Sequence, residues 1–401
     1  MKKKLLSITA LVLLCALCLL LLPSCSLLKD FEFLSFPYKF SVKDGEITIT
    51  GYTGLSRNVT VPDSILGAPV TAIDVGVFDS SWIKTITLPD SVKRIDSFAF
   101  SHCKNLRYNE YENGYYLGSD ETPYFALLDA IDGNVESFTI HPDTVVICGD
   151  ALQSCTLLSE LVIPEKVVSI GQFALSYAVS LERIDIPKSV EYVGLLAFEN
   201  CTAIQEFTVD AESNHFKAID GSLFTHDGSC LFKYTTGRKN SVYHIPEGTK
   251  MIAGSALKDA YYLTEVTLPD SMEEIGHSAF LDCTNLAKLD LGNGLKTIKG
   301  CAFQGCAIET LTIPDSVEEV YYNAFGKCEK LTSVILGKGL TYIYDGAFER
   351  CSALKEVVFL DPVGWGVAQA YSRFHDIDVS DPKQNAAFFT GEYEQYYWMK
   401  E

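Results

Sequence analysis

Positive charge is scarce in this 401-residue chain, which has 32 lysines and arginines against 52 aspartates and glutamates. The formal net charge of −20 argues against a nucleic-acid partner, because phosphate binding needs clustered basic residues. Histidine is also rare, and the seven histidines show no clustered spacing. The chain contains no HExxH, no GxSxG and no phosphate-binding glycine loop with its lysine. We therefore expect no cofactor, no metal and no catalysis of these common kinds.

One long apolar run is present, from Leu5 to Leu22, and it follows the positive start MKKK. This pattern predicts an export signal over residues 1–24. Its end resembles the lipobox of bacterial lipoproteins, which are cut before a cysteine that receives a diacylglyceryl group. Ser24 matches that pattern and Pro23 departs from it. The resemblance implies lipidation at Cys25, while the alternative is an uncleaved anchor, since 18 apolar residues can just span a bilayer.

Either reading places the rest of the chain outside the cytoplasmic membrane, with the membrane as a partner through the anchor. Removal of residues 1–24 would take the formal charge from −20 to −23. Residues 25–37 then form a lipid-anchored tether. After it, Lys39–Thr50 predicts two strands around Asp44-Gly45, a dipeptide typical of hairpin turns.

An internal repeat runs through most of the remaining sequence. Ten copies of a six-residue element, apolar at its first position and usually alanine-phenylalanine at its end, begin at Ile73, Ile95, Ile147, Ile170, Val193, Ile252, Ile275, Ile298, Val320 and Ile343. Successive copies start 22 or 23 residues apart, except for two intervals of 52 and 59 residues. This period is typical of leucine-rich repeats, and the long intervals predict insertions near residues 107–140 and 210–246.

After each element come alternating apolar residues and then a turn such as Ile313–Ser316 (IPDS), whose proline ends a strand. The sequence therefore predicts an α/β leucine-rich repeat solenoid, β-rich, with stacked parallel strands, over residues 38–360. Residues 361–401 break the repeat and predict a C-terminal cap. Within this tail, Asp381-Pro382 predicts the start of a short helix that runs to about Phe389.

Cysteine recurs at one place in the repeat, three residues after the six-residue element. Seven copies have it, at Cys103, Cys155, Cys201, Cys283, Cys306, Cys328 and Cys351. The other three copies have Ser81, Ala178 and Ala260, so the place suits a small, buried side chain. The nearby pair Cys301 and Cys306 has no second pair of ligands for zinc. We predict free thiols and neither metal nor redox chemistry.

The repeat I-x-x-x-A-F-x-x-C-x-x-L-x-x-[IVL]-x-[IL]-P-x-S resembles the BspA-like leucine-rich repeat proteins of bacterial surfaces. The resemblance runs from about Tyr52 to Phe359. Leucine replaces phenylalanine at Leu152, Leu175 and Leu257, and Asn109 interrupts one strand. The resemblance implies a curved solenoid with a role in adhesion or ligand binding, and it transfers no defined ligand and no catalytic residues.

The outward side chains of the stacked strands form the candidate ligand-binding face. Its residues are Glu265, Thr267, Lys288, Asp290, Thr310, Thr312, Ser333, Ile335, Glu356 and Val358. Ile335 and Val358 are apolar on successive repeats, which suits a protein-binding hot spot. Strand propensity or contact with the tail explains the same two residues equally well.

The predicted function is that of a surface lipoprotein that binds a protein or glycan ligand. One alternative is a structural envelope protein that associates with itself. The other is a surface hydrolase with its site in the insertions. Carboxylates and tyrosines of the first insertion could supply a glycosidase-like pair, or could be solvated residues of a hairpin: Tyr115, Tyr116, Asp120, Glu121, Asp129 and Asp132.

The tail offers two further possibilities besides a cap. Its aromatic residues could stack on sugars: Tyr393, Tyr396, Tyr397 and Trp398. Its aspartates Asp376, Asp378 and Asp381 could bind calcium, although the glycine and glutamate of an EF-hand are missing.

Overall fold

The computed structural model describes residues 33–35, 37–369 and 374–400. The predicted signal and the lipidation site at Cys25 lie outside these residues and stay predictions. Within the described ranges, no helix is long and apolar enough to cross a membrane.

The described chain begins with β1 (Phe33–Ser35), β2 (Tyr38–Lys43), β3 (Glu46–Tyr52), β4 (Asn58–Thr60), β5 (Ser64–Ile65) and β6 (Ala68–Ile73). All of these strands except β4 belong to one sheet. Strands β2 and β3 form the predicted antiparallel hairpin. Asp44 and Gly45 both have positive φ, as a two-residue turn of this kind requires. The hairpin prediction is confirmed. Strand β3 pairs in parallel with β6, which starts the stack of repeats.

The solenoid then continues with two kinds of strand per turn and two insertions. Its strands in chain order are β7 (Thr85–Thr87), β8 (Arg94–Ile95), β9 (Asn109–Tyr111), β10 (Gly114–Leu117), β11 (Ala126–Ala130), β12 (Ser137–Thr139), β13 (Val146–Ile147), β14 (Glu160–Val162), β15 (Ser169–Ile170), β16 (Arg183–Ile186), β17 (Tyr192–Val193), β18 (Glu206–Val209), β19 (Phe216–Ile219), β20 (Ser222–Thr225), β21 (Cys230–Lys233), β22 (Val242–His244), β23 (Met251–Ile252), β24 (Glu265–Thr267), β25 (Glu274–Ile275), β26 (Lys288–Asp290), β27 (Thr297–Ile298), β28 (Thr310–Ile313), β29 (Glu319–Val320), β30 (Ser333–Leu336), β31 (Tyr342–Ile343) and β32 (Glu356–Phe359).

Each kind of strand pairs in parallel with its own kind on the next turn. The two-residue strands β23, β25, β27, β29 and β31 form one continuous ladder. The three- or four-residue strands form separate ladders, such as β22–β24–β26 and β28–β30–β32. The result is a stacked parallel-strand solenoid of about 14 turns. The predicted fold class is confirmed.

Left-handed backbone recurs at two fixed places in every copy of the repeat. The fourth residue of the six-residue element has positive φ in all ten copies: Gly76, Phe98, Asp150, Phe173, Leu196, Ser255, Ser278, Cys301, Asn323 and Gly346. The same holds four residues later for Ser80, His102, Ser154, Tyr177, Asn200, Asp259, Asp282, Gly305, Lys327 and Arg350. Glycine, asparagine, aspartate and histidine suit this region and fill nine of the twenty places, whereas at Phe98, Phe173 and Leu196 the chain geometry imposes it against local preference.

The core is built from columns of identical positions. Phenylalanine rings stack face to face along the axis, with centroids 4.8 Å apart for Phe280 and Phe303 and 5.3 Å apart for Phe303 and Phe325. The buried residues form two hydrophobic clusters, one from Tyr38 to Leu223 and one from Phe224 to Trp398. The core therefore divides within β20.

The two insertions are three-stranded antiparallel meanders. Strands β9, β10 and β11 form the first, and β19, β20 and β21 form the second. In both, the last strand pairs in parallel with the next two-residue strand, β13 or β23. Each insertion thus supplies the strand that a regular repeat would have placed there. Asn109 belongs to β9, so it starts the first meander and leaves no gap in a repeat.

The tail contains β33 (Trp365–Ala368), β34 (His375–Asp376), helix α1 (Pro382–Ala387), a π-helical turn (Phe388–Glu392) and β35 (Tyr397–Lys400). Asp381 caps α1 by accepting hydrogen bonds from the backbone of Lys383 and Gln384, as predicted. Strand β35 pairs antiparallel with β31. Trp398 is buried and stacks on Phe389 at 4.1 Å, so the tail covers the last turn as a cap.

Candidate ligand-binding surface

The predicted binding-face residues lie in aligned columns on the longer strands. Glu265 is paired with Lys288 on the next turn, and Thr267 with Asp290. Nearer the C-terminus, Thr310, Ser333 and Glu356 share one column, and Thr312, Ile335 and Val358 share the adjacent one. The structure thus brings these residues together within two ladders, β22–β24–β26 and β28–β30–β32.

On the earlier longer strands β16 and β18, outward side chains of opposite charge neutralise each other. The guanidinium of Arg183 contacts Asp185 at 2.8 Å and Glu206 at 3.4 Å. Burial acts to raise the pKa of the Asp185 carboxyl, but hydrogen bonds from Thr208 and Arg183 outweigh it and lower the pKa. These charged groups already have partners within the protein.

Within the described ranges, the last three longer strands, β28, β30 and β32, lack such charge pairs on their outward side. We define the C-terminal strand face as Thr310, Thr312, Ser333, Ile335, Glu356 and Val358. Among the described residues, none forms a side-chain hydrogen bond or an ion pair with any of these six. Ile335 and Val358 are half-buried, whereas Val162, in the equivalent column of β14, is 78% exposed. The face therefore combines unpaired polar groups with two partly covered apolar side chains.

A cleft of about 450 Å³ lies beside the first insertion. Three carboxylates line it: Asp96, Asp129 of β11, and Asp150. Burial raises the pKa of all three, the charge of Asp150 adds to the effect on Asp129, and Arg94 opposes the effect on Asp96. Such an arrangement holds protons near neutral pH more readily than isolated carboxylates do.

Only Asp129, of the residues predicted in the first insertion, lines this cleft. Tyr116 is fully buried, and its hydroxyl accepts a hydrogen bond from the His141 backbone at 3.1 Å. Tyr115 is half-buried, and Asp120, Glu121 and Asp132 are exposed. Asp96 and Asp150 were missed because each reads as a variable position of the repeat. Asp96 is the second and Asp150 the fourth residue of its six-residue element, and no signal in the sequence distinguishes either of them.

The cysteine column is a structural ladder. Six of the seven thiols, all except that of Cys155, donate to the carbonyl that ends the six-residue element one turn earlier, at 3.3 Å from Cys306 to Phe280 and 3.1 Å from Cys351 to Phe325. In the part of the chain that the structure describes, every cysteine is free, as predicted. Cys301 is half-buried at a left-handed position, and burial raises the pKa of its thiol.

The tail aspartates serve local structure. Asp378 accepts a hydrogen bond from the Ser380 backbone at 2.9 Å, and Asp381 caps α1. Over residues 33–35, 37–369 and 374–400, no group of three His, Cys, Asp or Glu side chains is arranged to hold a metal ion. Of the tail aromatics proposed for sugar stacking, Trp398 is buried and the three tyrosines are half-buried.

A family model described as the BspA type leucine rich repeat region matches residues 52–119, 131–245 and 250–365, more than half of the chain. The chain belongs to this family. The matched ranges agree with the resemblance seen in the sequence, and BspA-type membership suggests a binding or recognition role at a bacterial surface.

Three solved structures are similar to this BspA-type chain. A leucine rich cell surface protein from Faecalibacterium prausnitzii is 25% identical, with 83% of this chain and 95% of that chain covered and a TM-score of 0.49. The pneumococcal vaccine antigen PcpA is 20% identical, with coverages of 82% and 87% and a TM-score of 0.48. A leucine-rich repeat protein from Bacteroides ovatus is 18% identical, with coverages of 82% and 94% and a TM-score of 0.40. With TM-scores below 0.5, these likenesses add no argument. No curated protein matches the chain.

Proposed function

We propose that this protein is a lipid-anchored surface protein on the outside of a bacterial membrane, and that its C-terminal strand face binds a protein or glycan ligand without catalysis. The observation that carries the binding proposal is the column alignment of Thr312, Ile335 and Val358 beside that of Thr310, Ser333 and Glu356. BspA-type membership supports a recognition role in general.

The C-terminal strand face differs from earlier turns in its lack of internal partners within the described chain. Outward groups at Arg183 and Asp185 have partners within the protein, whereas those of the C-terminal strand face have none among the described residues. Unpaired hydroxyl and carboxylate groups on a rigid ladder can bond a ligand without first breaking internal contacts. Ile335 and Val358 add apolar area beside the polar column of Thr310, Ser333 and Glu356, and apolar area next to polar groups suits a protein-binding surface.

The test uses soluble Ser26–Glu401, screened against host matrix proteins, peptidoglycan and cell-wall glycans. The double variant Ile335→Glu, Val358→Glu should lose at least tenfold in affinity for any ligand found, while remaining folded by circular dichroism. Val162→Glu is the matched control, because it places the same charge in the equivalent column of an earlier turn. Equal loss in both variants would contradict the placement. Self-association of the protein with no foreign ligand would favour the structural alternative.

The anchor is tested separately from the binding face. Expressed from the full sequence in a bacterial host, the protein should partition into detergent and incorporate labelled fatty acid. Cys25→Ser should abolish the label. Retention of membrane association in that variant, with the residues 1–24 still attached, would instead support the uncleaved anchor.

The cleft beside the first insertion favours a second candidate function, hydrolysis of a glycosidic bond. Asp129 and Asp150 line one cleft, and a carboxyl with a raised pKa can act as the general acid of such a reaction. Release of reducing ends from cell-wall glycans should then be lost in Asp129→Asn and in Asp150→Asn, but not in Asp132→Asn on the exposed turn. Absence of any release by the wild-type protein would eliminate this candidate.

A further inference from the structure

Two large apolar side chains are strongly exposed at the N-terminal end of the solenoid. Leu55 is 98% exposed and Trp82 is 76% exposed. Both line one open groove of about 460 Å³, together with Arg57. Leu55 and Trp82 occupy equivalent places on successive turns. Leu55 lies two residues before Arg57, and Trp82 lies two residues before Lys84. Exposed apolar residues that share a groove call for an explanation that scattered ones do not.

A basic column runs beside this groove. The Lys84 N–H donates to the Arg57 carbonyl at 2.6 Å, and the Arg107 N–H donates to the Lys84 carbonyl at 2.9 Å, so the three residues lie on consecutive turns. All three side chains are exposed, and none forms an ion pair with another described residue. The groove also contains Asp79, whose carboxylate is already engaged by the His102 ring at 2.9 Å.

On later turns, the repeat position of Arg57, Lys84 and Arg107 is mostly filled by acidic or neutral residues. It is occupied by Glu136, Ser159, Glu182, Gln205, Ser241, Thr264, Ala287, Glu309, Thr332 and Lys355. Three unpaired cations in a row are therefore particular to the first turns. In a chain with a formal charge of −20, residues 38–110 contain eight lysines and arginines and eight aspartates and glutamates, so the first turns are neutral while the rest of the molecule is acidic.

The start of the described chain lies close to this end. Strand β1 begins at Phe33, eight residues after Cys25, and eight extended residues reach at most about 27 Å. If Cys25 is lipidated, a step that rests on the proposed function, the tether holds the first turns within that distance of the membrane. The opposite end of the stack, with the C-terminal strand face, then points away.

We infer that the N-terminal surface formed by Leu55, Arg57, Trp82, Lys84 and Arg107 docks on an anionic phospholipid bilayer. Tryptophan combines an apolar body with a polar N–H and is favoured at the boundary between headgroups and acyl chains. Basic side chains near an anionic leaflet are attracted to its headgroups. The acidic remainder of the molecule is repelled by the same surface, which orients the solenoid with its first turns toward the membrane.

Intrinsic fluorescence can test this inference directly. The chain has three tryptophans, and Trp365 and Trp398 are 3% and 1% exposed, so Trp82 is the one that a bilayer can reach. Ser26–Glu401 lacks the lipid but retains every residue of both core clusters, which run from Tyr38 to Trp398. Mixed with vesicles of equal parts phosphatidylglycerol and phosphatidylcholine at low salt, it should sediment with them. Its emission should shift to shorter wavelength and be quenched by brominated acyl chains.

Variants distinguish binding through this surface from non-specific adsorption to vesicles. The triple variant Arg57→Ser, Lys84→Ser, Arg107→Ser should bind about a hundredfold less tightly, about fivefold for each cation removed. Trp82→Tyr should keep vesicle binding in the sedimentation assay and lose the spectral shift. The matched control is Lys327→Ser, Lys330→Ser, Lys355→Ser, which removes from later turns three exposed lysines that form no ion pair with any described residue, and it should bind like the wild type.

Three outcomes would overturn the inference: no binding to the anionic vesicles at low salt, equal binding to vesicles of phosphatidylcholine alone, or equal weakening by the control variant. A shift of Trp82 emission with protein concentration, in the absence of vesicles, would identify a second copy of the chain as the occupant and also overturn it. Neither the lipid at Cys25 nor ligand binding at Ile335 and Val358 enters these measurements. Failure here is therefore distinguishable from failure of the proposed function.

Discussion

At the scale of single residues, left-handed backbone occurs even where the side chain disfavours it, as at Lys327. Lys327 has a φ of 55°, and its exposed side chain has no hydrogen-bond or ion-pair partner among the described residues. Left-handed backbone costs a residue with a Cβ about 1–2 kcal/mol, a cost that glycine avoids, while the greater freedom of glycine in the unfolded chain offsets about 0.5–1 kcal/mol of this gain. We expect Lys327→Gly to raise the free energy of unfolding by about 0.5–1 kcal/mol, measured by urea denaturation.

The control for this prediction lies three residues away. Lys330 is also exposed, but it is not among the described residues with positive φ. Lys330→Gly should lower the free energy of unfolding by up to about 1 kcal/mol, because glycine gains freedom mainly in the unfolded chain. Destabilisation of similar size by both variants would show that the conformation at Lys327 carries no strain.

The cysteine ladder makes stability depend on pH at the alkaline end. Burial raises the pKa of the Cys351 thiol to about 12, whereas an unfolded cysteine titrates near 8.5. Above pH 9 the unfolded chain therefore loses a proton that the folded chain keeps. The thiol's contribution is fully present below pH 8.5 and declines by about 1.4 kcal/mol per pH unit until its folded pKa is passed.

The measurement is urea unfolding with reductant present, at neutral pH and near pH 10. Cys351→Ala should flatten the alkaline decline by about 1.4 kcal/mol per pH unit. Alanine is a natural occupant of this repeat position at Ala178 and Ala260, so the variant should fold. Ser81→Ala changes the same position without removing a thiol, and because it loses a contact that lowers the pKa of the Cys103 thiol, it should not flatten the decline. An unchanged decline in Cys351→Ala would show that this thiol is not shielded in the native state.

At the scale of elements, the sequence predicted the structure of the regular repeats but not that of the two insertions. Alternating apolar residues and a fixed period predicted which side chains share a column, and the pairing of Thr312, Ile335 and Val358 follows that alignment. The role of the insertions could not be read in this way, because the pairing of β11 with β13 is decided by tertiary contact. Likewise, Asp96 and Asp150 line one cleft because their turns stack directly, with the Gly149 N–H donating to the Ile95 carbonyl at 3.0 Å, although the first insertion separates the two residues in the sequence, so no local pattern shows the cleft.

The cap helix is held to the last turn mainly by one buried side chain. The Asn385 side-chain amide donates to the backbone carbonyls of Val357 and Val379, both at 2.9 Å. Asn385→Ala would leave two buried carbonyls without these donors, and we expect a loss of about 2–4 kcal/mol in the free energy of unfolding. Limited proteolysis should then cut the tail first. Gln384→Ala, an exposed change in the same helix, is the control and should alter stability by less than about 0.5 kcal/mol.

At the scale of the whole molecule, the buried apolar side chains fall into two clusters, which predicts that the solenoid unfolds in two steps. In stacked repeats each turn is stabilised mainly by its neighbours, so a break in the apolar column weakens cooperativity at that point. Here the break falls within β20, between Leu223 and Phe224. Polar contacts still cross it, such as the 2.7 Å ion pair between Lys258 and Glu199. We therefore expect two unfolding steps that are coupled but separable.

Equivalent leucines in the two clusters provide the test. Leu158 and Leu286 occupy the same repeat position, both are fully buried, and truncation of either to alanine should cost about 2–5 kcal/mol locally. The buried tryptophans, Trp365 and Trp398, both belong to the second cluster, so their fluorescence reports its unfolding, while circular dichroism reports both clusters. Leu286→Ala should shift the fluorescence transition to lower urea and leave a second, unshifted step in the dichroism. Leu158→Ala should do the reverse, since it weakens turns that these tryptophans do not touch. If each variant moves both signals together and equally, the two clusters unfold as one cooperative unit, and the polar contacts across β20 are strong enough to bridge the break.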